Sequence, residues 1–278
     1  MTVTRFAPSP TGKLHLGHAY SALYSEKVAK DNNGKFIVRI EDIDSIRCKQ
    51  EYVDCIFDDL DWLGVTCPDE VLIQSTRIDQ YQLASEKLLS LGMLYPCFCT
   101  RKEIASNSDA ANGELNNGNN SLYPGTCRNL SDEEVSEKIR KGTPYSLRLN
   151  SARAKEKVGK VYWNDHLSGI HEVDYDLMGD VVIVRKDIGT SYHLAVTLDD
   201  DFQGVTRVTR GLDLFDSTHV HRVLQSLLGL DVPDWFHHKL IKDHEGIRYS
   251  KSDQSLPLEQ LRESGVNAEE IRKDFGFN

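Results

Sequence analysis

The chain has 278 residues, of which 39% are hydrophobic and 27% charged, and it carries a formal net charge of −10 at pH 7. It is long enough to bury one large core, or a large one with a smaller insert, and no run approaches the roughly 20 apolar residues needed to cross a bilayer. The acid excess argues against a general nucleic-acid binder, because counterion release needs Lys and Arg opposite phosphates.

The opening Met1-Thr2-Val3-Thr4-Arg5-Phe6 has no basic-then-apolar leader, so a soluble, cytoplasmic protein is expected. Residues 3–6 read as a short strand ending in the breaker-rich loop Ala7-Pro8-Ser9-Pro10-Thr11-Gly12, and a helical pattern runs from His15 to about Lys30. Residues 35–43, with Phe36-Ile37-Val38-Arg39-Ile40, form a second strand; 50–63 show helical spacing of Ile56, Leu60 and Leu63, and 78–91 another helix. Strands alternating with helices predict a parallel sheet.

At Tyr95-Pro96-Cys97-Phe98-Cys99 the character changes. Residues 106–120, rich in Asn, Ser, Gly and Ala, cannot bury enough apolar surface to order themselves and predict a mobile loop. Residues 145–149 and 158–173 look like antiparallel strands of a small insert. The alternation resumes with strand 181–185, a helix near Tyr192, strand 205–210, helix 216–228 and strand 235–241. The expected fold is thus α/β, a Rossmann-like parallel sheet in a discontinuous catalytic domain (1–96 and 176–252). It is split by an α+β insert (97–175) and followed by a short helical extension (253–278). Between Lys138 and Lys160 there are eight basic residues and one acid, Glu156, which is either a solvated face or a docking face for a polyanion.

Two motifs carry chemistry. His15-Leu16-Gly17-His18 opens a helix after a strand and a Pro/Gly loop, which puts two imidazoles on one helical face, where phosphate is favoured by the helix N-terminus. Such histidines can stabilise charge developing on an ATP α-phosphate, although a bare HxGH reads equally as a helix cap. Arg248-Tyr249-Ser250-Lys251-Ser252 follows the last strand, and a lysine in such a loop can neutralise a leaving pyrophosphate. Together the motifs are what a split nucleotide-binding sheet brings to its carboxyl edge.

These residues resemble the HIGH and KMSKS motifs of class I aminoacyl-tRNA synthetases, with Arg for the first Lys and Tyr for Met in the second. The opening Arg5-Phe6-Ala7-Pro8-Ser9-Pro10-Thr11-Gly12, the strand end Arg39-Ile40-Glu41-Asp42 and Arg210-Gly211-Leu212-Asp213 are similar to glutamyl-tRNA synthetases in particular. The resemblance implies a glutamate pocket of Arg5, Phe6, Ala7, Pro8, Ser9, Glu41, Tyr192 and Arg210. It also implies an ATP site of His15, Gly17, His18, Ser250 and Lys251, with His15, His18 and Lys251 catalytic and Mg²⁺ accompanying ATP. The chemistry suits a dicarboxylic amino acid: Glu41 can hold the α-ammonium while Arg5 and Arg210 divide the two carboxylates, Arg210 taking that of the side chain.

Six cysteines without an export signal are thiols or metal ligands rather than disulfides. Cys97-x-Cys99 and Cys127 can supply three thiolates to a structural Zn²⁺, but a fourth ligand must close the tetrahedron; the resemblance implies Tyr123. Cys48, Cys55 and Cys67 lack metal spacing and are expected to pack. Only 26 residues follow Ser252, too few for an anticodon-reading domain of about 100 residues or more. In this the chain resembles the truncated glutamyl-Q tRNA(Asp) synthetases, which transfer glutamate to the queuosine base of tRNA(Asp). The resemblance implies ATP, L-glutamate and queuosine-bearing tRNA(Asp) as partners of a monomer without membrane contact. A shortened glutamyl-tRNA synthetase charging an acceptor end is the alternative.

Overall fold

Every residue of strand β1 (Val3–Phe6) is buried, the pattern of a strand covered on both faces. In the computed structural model, which describes residues 1–67, 70–104, 123–241 and 256–277, β1 pairs in parallel with β2 (Lys35–Ile40), and β2 with the short β3 (Leu72–Ile73). On its other side β1 runs beside β9 (Arg207–Gly211): Thr206 N donates to Val3 O (3.1 Å) and Arg5 Nη1 to Thr209 O (3.1 Å). Strand β9 pairs in parallel with β10 (Asp234–His238), which pairs in parallel with β6 (Tyr162–Asp165). From β1 the chain builds outward in one direction through β2 and β3, and from β9 in the other. That makes β1 and β9 the switch strands, outside whose carboxyl ends open α/β sheets bind ligands.

Alternation along β2 sends Ile37 into one buried cluster, with Leu194, Val223 and Trp235, and Val38 and Ile40 into another, with Leu23, Ile56 and Leu60. Two apolar layers therefore cover the sheet. Helix α1 (Leu16–Asp31) is pinned over β1 and β9 by Ser25, whose backbone O accepts from Thr4 Oγ1 (2.8 Å) and whose Oγ lies 2.5 Å from Thr209 Oγ1. Helices Gln50–Trp62, Ile78–Ser90, Tyr192–Phe202 and Ser217–Leu228 follow the spacing read from the sequence. No helix among the described residues is long and apolar enough to cross a membrane.

Two strand assignments need correction. Residues 162–172 do form the antiparallel hairpin β6–β7, with β7 at Gly169–Glu172, but β6 joins β10 on the main sheet instead of belonging to the insert. Trp163 is almost fully buried against Trp235 and Phe215, and Asp165 accepts the backbone N–H of His237, so the hairpin finds its core there. The strand expected at 181–185 is β8 (Val182–Val184). It runs antiparallel to β5 (Ser146–Leu149), which itself pairs with β4 (Leu94–Cys97) in a separate three-stranded sheet. Pairing thus crosses both expected boundaries of the 97–175 insert. The loop expected at 106–120 and the 248–252 motif lie outside the described residues.

The small sheet is tied together by Asp180. Its Oδ2 accepts from Tyr95 OH (2.5 Å) and Arg128 Nε (2.7 Å), and its Oδ1 from the backbone N (2.9 Å) and Oγ (2.8 Å) of Ser151. Burial alone would raise its pKa, yet these donors hold it below the usual carboxylate range. Asp180→Ala should cost about 3–5 kcal/mol, since it strands a guanidinium and two hydroxyls at once. Urea unfolding measures the loss, and a variant within about 1 kcal/mol of the parent would show that the carboxylate does not hold the sheet.

Candidate active site

At the carboxyl ends of β1, β9 and β10 lies a cavity of about 470 Å³. Arg5, Phe6, Ala7, Pro8, Ser9, His15, Gly17, His18, Glu41, Tyr192 and Arg210 all line it. It thus gathers every residue of the expected glutamate pocket and His15, Gly17 and His18 of the HxGH motif. Ser250 and Lys251 fall outside the described residues, but both flanks of their segment are placed. Ile241 lines the cavity, while Pro257 bridges His15 and Leu258 N donates to Leu14 O (2.9 Å).

The two histidines are at once the cap of α1 and part of the cavity wall. Gly17 N donates to His15 Nδ1 (3.1 Å) and His15 N to His18 Nδ1 (3.2 Å), a reciprocal capping box with ring centroids 3.8 Å apart. Because each Nδ1 accepts, the proton of each neutral ring sits on Nε2. The cap reading and the chemical reading are therefore compatible, since different atoms of the same rings serve them. The loop before the helix is held from below, with Glu41 N donating to Pro8 O (3.0 Å) and Lys49 N to Pro10 O (3.1 Å).

Beneath the loop, four charges interlock. Arg5 Nε donates to Asp200 Oδ1 (2.9 Å) and its Nη2 to Oδ2 (3.4 Å), while Arg39 Nη2 donates to Asp200 Oδ1 (2.8 Å) and Glu41 Oε1 (3.3 Å). Asp200 is held below its ordinary pKa, the two guanidiniums outweighing burial. Glu41 is pushed up, because burial and two nearby aspartates outweigh Arg39 and Arg5. Arg5 is thus already paired with a carboxylate that the sequence reading did not single out. The signal was present: Asp199-Asp200-Asp201 stands in an amphipathic helix, and the first two acids are buried.

Arg210 differs. Its Nε donates to His237 Nε2 (3.0 Å), Nη1 to Tyr192 OH (3.2 Å) and His221 Nδ1 (3.2 Å), and Nη2 to Thr218 Oγ1 (2.6 Å). All four partners are neutral, and among the described residues no carboxylate pairs with it. His221, His237, Thr209 and Leu240 went unread, because an isolated residue carries no spacing of its own. Gly211 is constrained by the same crowding: a Cβ there would lie 2.9 Å from Leu240 Cδ2 and 2.5 Å from Asp213 Oδ1.

At the end of β4 and just beyond it, the sulfurs of Cys97, Cys99 and Cys127 lie within 4.8 Å of one another, and Tyr123 OH is 3.6 Å from Cys99 Sγ. Sulfurs of a tetrahedral zinc centre, at about 2.3 Å from the ion, stand roughly 3.8 Å apart, so the donor set fits such an ion. Tyr123 OH also accepts from Cys127 N (2.8 Å), and the Arg148 guanidinium lies 3.8 Å from the ring centroid; burial and the neighbouring thiols push the phenol's pKa up. Cys48, Cys55 and Cys67 are half-buried free thiols.

Burial first, and then the charge of Arg210, brings His193 and His237 from the ordinary 6.5 down to about 4. Between those values the unfolded chain takes up protons that the folded chain refuses, so stability is lost as pH falls through this window. The melting temperature should drop between about pH 6.5 and about pH 4, less steeply in His193→Gln. Equal slopes in thermal scans of parent and variant would remove His193 from the acid response.

Comparison with known proteins agrees with this geometry. The family described as tRNA synthetases class I (E and Q), catalytic domain, matches residues 1–275. A glutamyl-Q tRNA(Asp) synthetase of Rhodobacter capsulatus is 42% identical over 99% of this chain and 100% of its own length. A glutamate–tRNA ligase of Aquifex aeolicus is 37% identical over 96% of this chain but 55% of its own. The crystal structure of a glutamate tRNA ligase from Elizabethkingia meningosepticum, in complex with its amino acid, superposes with a TM-score of 0.75 at 33% identity, over 91% of this chain and 52% of that one. The chain therefore spans the full length of the first relative and about half of the two ligases. It belongs to the class I tRNA synthetase family, as a catalytic domain of the E and Q type.

Proposed function

We propose that the chain activates glutamate with ATP and transfers it to the queuosine base in the anticodon of tRNA(Asp). One observation carries the reading: a single cavity at the sheet's switch point is lined by the HxGH cap, by Glu41 and by a buried guanidinium, Arg210, whose partners among the described residues are all neutral. A dicarboxylic amino acid supplies the complementary charges. Glu41 takes the α-ammonium. Arg210, with Tyr192 as a further donor, takes the side-chain carboxylate. Arg5, already engaged by Asp200, assists the α-carboxylate with its remaining N–H groups.

The α-carboxylate oxygen attacks the ATP α-phosphorus in line, forming the acyl–phosphate bond and breaking the bond to pyrophosphate. His15 and His18 donate from Nε2 to the phosphate oxygens as charge develops there, and Lys251 neutralises the departing pyrophosphate. Mg²⁺ bound with ATP would offset part of the triphosphate charge. A hydroxyl of the queuosine cyclopentenediol then attacks the glutamyl-adenylate carbonyl and releases AMP. The segment from Lys138 to Lys160, exposed at Lys155 and Lys157, grips the tRNA backbone. Cys97, Cys99, Cys127 and Tyr123 would hold Zn²⁺, which when bound would fasten the strand end at β4 to the polypeptide beyond residue 122. The reading places a monomer in the cytoplasm, where ATP and tRNA are.

Label from glutamate should pass to tRNA(Asp) that carries queuosine and stay on its anticodon fragment after nuclease digestion. Equal transfer to tRNA lacking queuosine, with label on the 3′ end, would replace this reading with a shortened glutamyl-tRNA synthetase. Lys251→Ala should abolish glutamate-dependent pyrophosphate exchange without changing far-ultraviolet dichroism. The chain should also carry about one zinc; Cys99→Ser should lose it, as measured by elemental analysis of dialysed protein.

A further inference from the structure

Arg210 is one of two guanidiniums buried at the head of the cavity, and its surroundings contrast with those of Arg5. Arg5 has a bidentate carboxylate, whereas Arg210 has two histidines, a tyrosine and a threonine. Neutral histidine accepts through one ring nitrogen only, so each histidine serves Arg210 only in one tautomer. His237 accepts at Nε2, which requires its proton on Nδ1, and Asp165 Oδ2 sits 2.8 Å from Nδ1 to take it. Asp165 in turn is fixed by the backbone N–H groups of His237, Leu167 and Ser168 and by Ser168 Oγ. His221 accepts at Nδ1, which puts its proton on Nε2, 3.2 Å from His193 Nδ1. Both relays start outside the cavity lining and end on the guanidinium.

From this arrangement we infer that His237, locked by Asp165, and His221, locked by His193, are positioning residues that orient Arg210 without neutralising it and so set the preference for a carboxylate over a carboxamide side chain. Four neutral acceptors fix the plane of the fork as firmly as an acid would, since geometry follows from the hydrogen bonds rather than from charge. An acid in either histidine position would orient the fork equally well and remove its net charge. A glutamate side chain would then face a compensated pair, and glutamine would lose little by comparison. The inference rests on the proposed role of Arg210 in receiving the side-chain carboxylate.

The test compares kcat/KM for glutamate and for glutamine in pyrophosphate exchange, with KM for ATP as the check that the fold and the nucleotide site survive. In His237→Glu, the ratio of glutamate to glutamine should fall by about 100-fold, the worth of a charge-assisted pair, with KM for ATP unchanged. His237→Gln, which keeps a neutral acceptor, should retain the ratio to within about tenfold. If His237→Glu does not fold, His221→Glu makes the same test from the other side of the guanidinium. Arg210→Ala separates the two levels. Should it lose the glutamate preference while both glutamate-for-histidine variants keep it, the positioning role is overturned and the reading of Arg210 stands. Should Arg210→Ala itself keep the preference, the role of Arg210 fails and this inference with it.

Discussion

Two guanidiniums from neighbouring strands, Arg5 on β1 and Arg210 on β9, are buried where the strands build outward in opposite directions. Burying like charges together is costly unless each is compensated, and the fold compensates them in opposite ways. On the β1 side, Arg5 and Arg39 share Asp200, and Arg39 also reaches Glu41. Two cations and two anions close a network within the protein. On the β9 side, Arg210 meets only neutral acceptors among the described residues, and burial, with the charge of Arg5 nearby, disfavours its charged form. A cavity wall with one closed and one open charge is directional, and an anionic group entering it is drawn to the open one.

The same economy of atoms governs the N-terminus of α1. A helix start leaves backbone N–H groups without intrahelical partners, and here imidazole nitrogens at His15 and His18 satisfy two of them in place of the usual Ser or Asp oxygens. An oxygen cap would leave an acceptor or an anion at the mouth of the site, repelling phosphate. An imidazole cap consumes Nδ1 and retains an N–H at Nε2, so local helix stability and the reception of a polyanion call for the same residue type. For this reason HxGH reads both as a cap and as a catalytic motif.

Legibility in the sequence followed the physics of each signal. Helices with long apolar spacing, such as Ser217–Leu228, and the buried strand Val3–Phe6 were readable because burial imposes a period on consecutive residues. The pocket residues were readable only jointly, through the resemblance, since Arg5 or Glu41 alone is an ordinary charge. What escaped depends on contacts distant in the chain. Asp200 pairs with Arg5 across 195 residues, and His237 meets Asp165 across 72. The β6–β7 hairpin was recognised as a hairpin, because alternation is local. Its sheet was misassigned, because the choice between β5 and β10 as a neighbour is made by Trp163 finding Trp235 and Phe215.

The C-terminal helices fix where the chain returns to the cavity wall. Helices Leu258–Glu263 and Ala268–Asp274 pack on α1 and the Gln50–Trp62 helix through fully buried Leu258, through Arg262 beside Asp59 (3.3 Å) and through Arg272 Nη1 donating to Leu63 O (2.8 Å). Lys13, just before the HxGH motif, pairs with Glu259, and Phe277 lies against Tyr20 of α1. The segment that includes Lys251 therefore leaves the described structure at the cavity, at Ile241, and re-enters it beside His15. Buried contacts thus hold the returning chain beside the N-terminus of α1, and a helix end packed in this way loses the alternatives open to a free terminus. The short helical extension does for Leu14 and His15 what Asp165 does for His237: it acts at a distance from the chemistry by fixing the position of a neighbour.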